Sequence, residues 1–247
     1  IRDVVLDMDI VNGSLRFNDV RLGSIEGVAV ALKGPVTDLS QVSGIDLNYE
    51  ITSNSLSGFA KWQALDLGFD PENVGRFVLN GRLAGRFNDY QLSAKGEGLR
   101  ANYDVSGTIK GPLENPSDVN LKMDVNHPGH LDLLRRLDRD VEMRGRSLPV
   151  EANLTLTGAL TNLNTNGTIK ALGGSLGLVG QLEKPAADYH YKGVIEARHP
   201  SVYELSSVLG VLLQPKSPNT QSPSITLSTS LDYTPERLLL SDVMGTI

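Results

Sequence analysis

Four residues in the 247-residue chain carry the plainest chemical signal: His127-Pro128-Gly129-His130, with Asp132 beside them. Two imidazoles and a carboxylate are donors of the kind that hold zinc, but the stretch lacks the glutamate and third ligand of zinc-site motifs. A second candidate, Gly173-Gly174-Ser175-Leu176-Gly177, fits G-x-S-x-G. That motif presents a nucleophilic serine only where a buried strand turns into a helix. Here Leu176, Leu178 and Leu182 continue a period of two, so the segment predicts a glycine-rich turn between strands. A third is Asp138-Arg139-Asp140-Val141-Glu142, interleaved with Arg135, Arg136, Arg144 and Arg146. Mixed charge of this kind reads as a self-paired, solvated loop, with contact to an anionic headgroup or a partner protein as the alternative. No P-loop, dinucleotide fingerprint or EF-hand is present, and with no cysteine there is no disulfide or thiolate site. The residues assign no catalytic group, no metal site and no cofactor.

The histidine stretch recurs. Residues 123–137 align with 195–209 at an offset of 72, pairing His127 with His199, Pro128 with Pro200, Leu131 with Tyr203 and Leu137 with Leu209. The second copy reads His-Pro-Ser-Val and has no second histidine, which weighs against a metal. Each copy instead predicts a joint, where an alternating strand ends, the chain turns at proline, and a short amphipathic helix begins (131–137 and 201–213). Lys33-Gly34-Pro35 matches Lys110-Gly111-Pro112 at 77, each ending a strand, and Gly85 matches Gly158 at 73. The chain is therefore expected to repeat every seventy-odd residues, as about five strands and a short crossover helix. The segments are a partial repeat 1–52, repeats 53–130 and 131–200, and a partial repeat 201–247.

The elements between the joints alternate apolar and polar residues, as half-buried strands do. Examples are Leu47, Tyr49, Ile51; Phe77, Leu79, Leu83; Tyr103, Val105, Ile109; Val150, Ala152, Leu154, Leu156; and Ile195, Ala197. Asn12-Gly13 between two such runs is a hairpin signal. Residues 53–65 lose the period of two and suggest a short helix, and Pro215 to Pro223 a polar loop. Gly81, Gly107, Gly180 and Gly193 fall at apolar-face positions, where glycine marks a bend or a close approach.

A single short helix cannot cover the apolar face of such a unit. The face is buried either by a second sheet, as a sandwich, or by curling. The expected fold is mostly β, a long curved antiparallel sheet forming an open groove, with Leu121, Met123, Leu154, Leu156, Leu178 and Tyr191 lining it. Net charge is −6 and aromatic content 5%, which excludes a nucleic-acid partner. No apolar run reaches membrane-span length. The chain opens and stops in mid-pattern, as expected of a piece of a longer protein.

The Gly-spaced alternating strands, the Lys-Gly-Pro strand ends, and above all Ile195-Glu-Ala-Arg-His-Pro200 before a helix resemble the AsmA-like family of Gram-negative envelope proteins, the AsmA and TamB type. The resemblance covers the whole chain on loose motifs: the copy before Pro128 carries Asp124-Val-Asn where the other has Glu196-Ala-Arg. It implies a taco-shaped β-groove in the periplasm, anchored to the inner membrane by a segment outside this chain. It implies phospholipid acyl chains as partners, carried between inner and outer membrane without catalysis. It also links TamB-like members to outer-membrane protein assembly with a barrel partner. The alternative function is therefore a periplasmic scaffold that captures outer-membrane protein strands at an open sheet edge at the chain ends, with Leu238–Ser241 as the position to test.

Overall fold

The computed structural model describes residues 2–62, 69–113, 115–137, 146–183, 189–211, 213 and 221–247. Fourteen antiparallel strands follow one another in the sheet in chain order, leaving β1 and β14 as edges. They are β1 (Arg2–Val11), β2 (Ser14–Ile25), β3 (Val28–Asp38), β4 (Ser43–Ser53), β5 (Phe77–Arg86), β6 (Asp89–Gly98), β7 (Ala101–Lys110) and β8 (Asp118–His127). After them come β9 (Val150–Ala159), β10 (Asn162–Ala171), β11 (Gly174–Glu183), β12 (His190–His199), β13 (Ile225–Thr234) and β14 (Arg237–Thr246). Among the described residues three short helices interrupt the meander: α1 (Ser57–Trp62), α2 (His130–Arg136) and α3 (Val202–Val208). A 3-10 turn at Pro71–Val74 starts where Asp70 caps the Glu72 N–H at 2.9 Å.

The strands exist because the sequence alternates, and tight turns join several of them. Asn12-Gly13, Glu26-Gly27, Leu99-Arg100 and Leu172-Gly173 each join two strands with positive φ at both positions. This is the tight turn whose twist matches that of the strands it joins. The G-x-S-x-G segment thus begins in a hairpin turn and runs on into β11.

Several expectations are corrected. Four strands, not about five, separate successive helices: β5–β8 between α1 and α2, and β9–β12 between α2 and α3. Nor do the helices cross over. The strands flanking α1 and α3 are direct neighbours, β4 with β5 and β12 with β13. The interval of 72 residues is taken up by four ten-residue strands, the hairpin turns and a long helix-bearing connection. Lys33-Gly34-Pro35 does not end a strand either. It lies inside β3, where Gly34 takes φ +136° and Pro35 sits opposite Arg16. Lys110 does end β7. α3 stops at Val208, short of the expected 213. Pro200 lies outside that helix, immediately before its N-cap Ser201. The charged stretch 138–145 and most of the 215–223 loop lie outside the described residues.

The chain forms two compact units, residues 1–123 with 136–138, and residues 124–135 with 139–247. In the first, the densest packing is one cross-strand row. Leu15, Val36, Ile45, Gly85, Tyr90 and Ile109 sit opposite one another from β2 to β7. Val36, Ile45 and Tyr90 are its buried centre, with Phe17, Leu39, Leu47 and Leu83 packed against it. In the second unit, successive rows from β9 to β12 are Gly158–Leu163–Leu182–Tyr191, Leu156–Thr165–Gly180–Gly193, Leu154–Gly167–Leu178–Ile195 and Ala152–Ile169–Leu176–Ala197. All share one face. Among the described residues no large side chain is fully buried.

Candidate functional site

The second unit's apolar face brings together four of the six residues expected to line a groove. Leu154 and Leu178 share a row, divided by Gly167, Leu156 is in the row beside it, and Tyr191 in the row beyond. A Cβ on Gly167 would overlap the Leu154 side chain, so that leucine lies across the glycine toward Leu178. Tyr191 lies over the Gly180–Gly193 pair, its hydroxyl 2.7 and 2.9 Å from where their Cβ atoms would be. That hydroxyl accepts a hydrogen bond from Thr165 Oγ1 at 3.2 Å. Thr165 is buried on this face. Composition gave no sign of it, although its place in Leu163-x-Thr165-x-Gly167-x-Ile169 is the inward phase of β10. Leu121 and Met123 belong to the first unit, on the less exposed side of β8 with Val119, alternating with exposed Asn120 and Lys122. Gly107 lies against the Leu121 backbone, closely enough that its Cβ would meet Leu121 Cα at 2.9 Å.

A cavity of about 340 Å³ opens where the second unit's face meets α3, lined by Ile169, Leu176, Ala197, Leu205, Ile225 and Leu227, among others. His199 forms part of its wall. The ring is buried, and its Nδ1 accepts the Ser201 N–H at 3.1 Å. A neutral imidazole that accepts at one nitrogen carries its hydrogen on the other, so Nε2 donates to the Leu172 carbonyl at 2.9 Å. The histidine thereby ties the β10–β11 turn to the start of α3. Gly173 and Gly174 leave room for the ring, since a Cβ on Gly174 would come within 2.8 Å of it.

The first joint repeats the device. His127 Nδ1 accepts the Gly129 N–H at 3.0 Å, and its Nε2 lies 3.7 Å from Asp132. The residue two places on is bonded in both copies, so the imidazole acts as a cap for the turn. His130 points elsewhere, its Nδ1 accepting the Leu148 N–H at 3.0 Å. Among the described residues no three His, Asp or Glu side chains converge as a metal would require.

The first unit's polar face holds a larger depression, about 630 Å³, with Asp19, Arg21, Lys33, Glu50, Arg82, Lys95 and Asp104 on its walls. Most of these charges are paired: Arg21 with Asp19 at 2.8 Å, Lys95 with Asp104 at 3.1 Å, and Arg82 with both oxygens of Asp46. The Arg82 hydrogen bond holds the Asp46 carboxyl below its ordinary range. Exposed pairs of this type solvate a face more than they stabilise it.

No family model, curated protein or solved structure matches the chain.

Proposed function

We propose that the chain is a non-enzymatic conduit for lipid acyl chains, which lie along the apolar faces of its strands. In the envelope setting that the resemblance implies, it would work in the periplasm, held at the inner membrane, and pass phospholipid toward the outer membrane. The observation supporting this is the set of aliphatic rows that run across successive strands, while no large side chain among the described residues is fully buried.

The energetic logic is simple. Each methylene removed from water is worth about 0.8 kcal/mol, so a sixteen-carbon chain crossing water bare costs on the order of 12 kcal/mol. A continuous apolar surface lowers that barrier, because the chain slides without leaving it, while the headgroup stays in solvent. Leu121, Met123, Leu154, Leu156, Leu178 and Tyr191 are the proposed contacts. Native mass spectrometry of protein purified without detergent should find phospholipid bound. No lipid, together with a Leu156→Asp variant that fails to fold, would instead indicate a face covered by protein.

A second reading is favoured by β14. All ten residues of this edge strand are exposed, including Leu238, Leu239, Leu240, Val243 and Met244. Unpaired strand edges are templates for adding another strand, and an outer-membrane barrel strand is the proposed addition. Crosslinking from 238–241 to barrel-strand peptides tests it; lipid adducts at those positions in place of peptide would count against it.

A further inference from the structure

At one end of the second unit's apolar face, Leu205 of α3 and residues of four strands line the open 340 Å³ cavity. We infer that this cavity receives the methyl end of a single acyl chain, with α3 as the stop; the inference rests on the lipid reading above and specifies which part of the lipid goes where.

Three observations carry it. First, the lining is almost wholly aliphatic: Ile169, Leu172, Leu176, Leu205, Ile225 and their neighbours. Ser175 and Arg198 also border it, but they face each other at strand positions that alternate with Leu176 and Ala197, and Arg198 is paired with Glu196. His199, on the cavity wall, spends Nδ1 on Ser201 and Nε2 on Leu172. A group with no hydrogen-bonding capacity fits such a wall without loss, whereas a buried hydroxyl or charge forfeits its bonds to water. Second, the volume is at the lower end of small-ligand sites, too small for a two-chain lipid but suited to part of one chain. Third, the cavity continues the face. Leu176 on its wall stands two residues from Leu178, and Ala197 two residues from Ile195, both in the next row.

The stop is held firmly for so short a helix. Ser201 Oγ accepts the Glu204 N–H at 3.1 Å and donates to Ser222 Oγ at 2.7 Å, while the Val202 N–H reaches the Pro223 carbonyl at 2.9 Å. His199 fixes the same entry from the strand side. The repeated His-Pro joint therefore has a functional consequence in this copy, because it sets how far along the face a chain can run.

The test uses delipidated full chain loaded with cis-parinaric acid, which fluoresces in apolar sites. The probe is displaced by hexadecanoic acid or by 16-hydroxyhexadecanoic acid, which differ only at the chain end. The hydroxy acid should compete about tenfold less well. Leu205→Trp, which fills the cavity from α3, should weaken hexadecanoic acid about tenfold and abolish the difference between the two acids; Ala171→Phe fills it from the sheet should the first variant misfold. Equal displacement by the two acids from the unsubstituted chain overturns the cavity assignment while leaving the face as a lipid surface. Failure of the chain to bind the probe at all overturns both.

Discussion

Replacing Gly193 with alanine tests whether the second unit's strands depend on the close approach that glycine allows on the apolar face. Gly193 sits directly opposite Gly180. A Cβ there would lie 2.9 Å from Gly180 Cα, 2.9 Å from the Tyr191 hydroxyl, and in overlap with the Val179 carbonyl. Two of those three neighbours are backbone and cannot rotate away, so the strands must part locally, at about 1–3 kcal/mol for overpacking. Gly177 provides the control in the same sheet. Its Cβ would find only the Glu196 carbonyl, at 3.8 Å, and Gly→Ala at an unstrained site gains about 0.4–1 kcal/mol by restricting the unfolded chain. For a chain of this length each kcal/mol moves the melting temperature by about 2–4 °C. Gly193→Ala should then melt about 2–12 °C below the parent and Gly177→Ala about 1–4 °C above it. Far-UV circular dichroism melts in one buffer decide the matter. Equal melting temperatures for the two variants, or a Gly193→Ala that melts with the parent, would refute the close-approach reasoning.

Three further outcomes follow from other contacts. Arg100 and Leu99 both take positive φ in the β6–β7 turn, so Arg100→Gly should stabilise the fold by about 1 kcal/mol, read as a rise in chemical-denaturation midpoint. His199→Ala removes a buried ring and two hydrogen bonds and should cost about 2–4 kcal/mol, with faster hydrogen exchange at Ser201 and in α3. The Asp232 carboxyl is held below its ordinary value of 3.8, first by the His190 hydrogen bond and then by its charge, with Arg237 adding to both effects. A carboxylate whose pKa falls on folding gives stability that is complete above the unfolded value and lost as pH drops through the folded one. Asp232→Asn should therefore flatten the dependence of the melting temperature on pH below about pH 4.

Strand existence was legible in the sequence because a half-buried strand must alternate, and Leu47-x-Tyr49-x-Ile51 has no other economical reading. The Asn12-Gly13 hairpin was legible for a local reason, since both residues tolerate positive φ. The Leu99-Arg100 turn was not, because neither residue announces that conformation; the register of β6 on β7 imposes it. The repeat was visible at His127 and His199, but its strand count came out one too high, since offsets measure chain length and not pairings. The histidines also carry more of the joint than their loose context suggested. Hydrogen bonds that an imidazole accepts from the N–H two residues on leave no compositional trace. The cavity beneath α3 was out of reach for a similar reason: Ile169, Leu205 and Ile225 lie on three separate elements, and only the row register and the His199 tie bring them together.

Face-specific photocrosslinking tests the lipid reading most directly. Leu178 lies on the apolar face and its chain neighbour Val179, 60% exposed, on the opposite one. A benzophenone amino acid placed at each position in turn, in protein isolated from an envelope-containing host, samples both faces of one strand one residue apart. Phospholipid adducts are expected at 178 and not at 179. Adducts at both positions alike, or at 179 alone, would contradict an acyl-chain path along the apolar face.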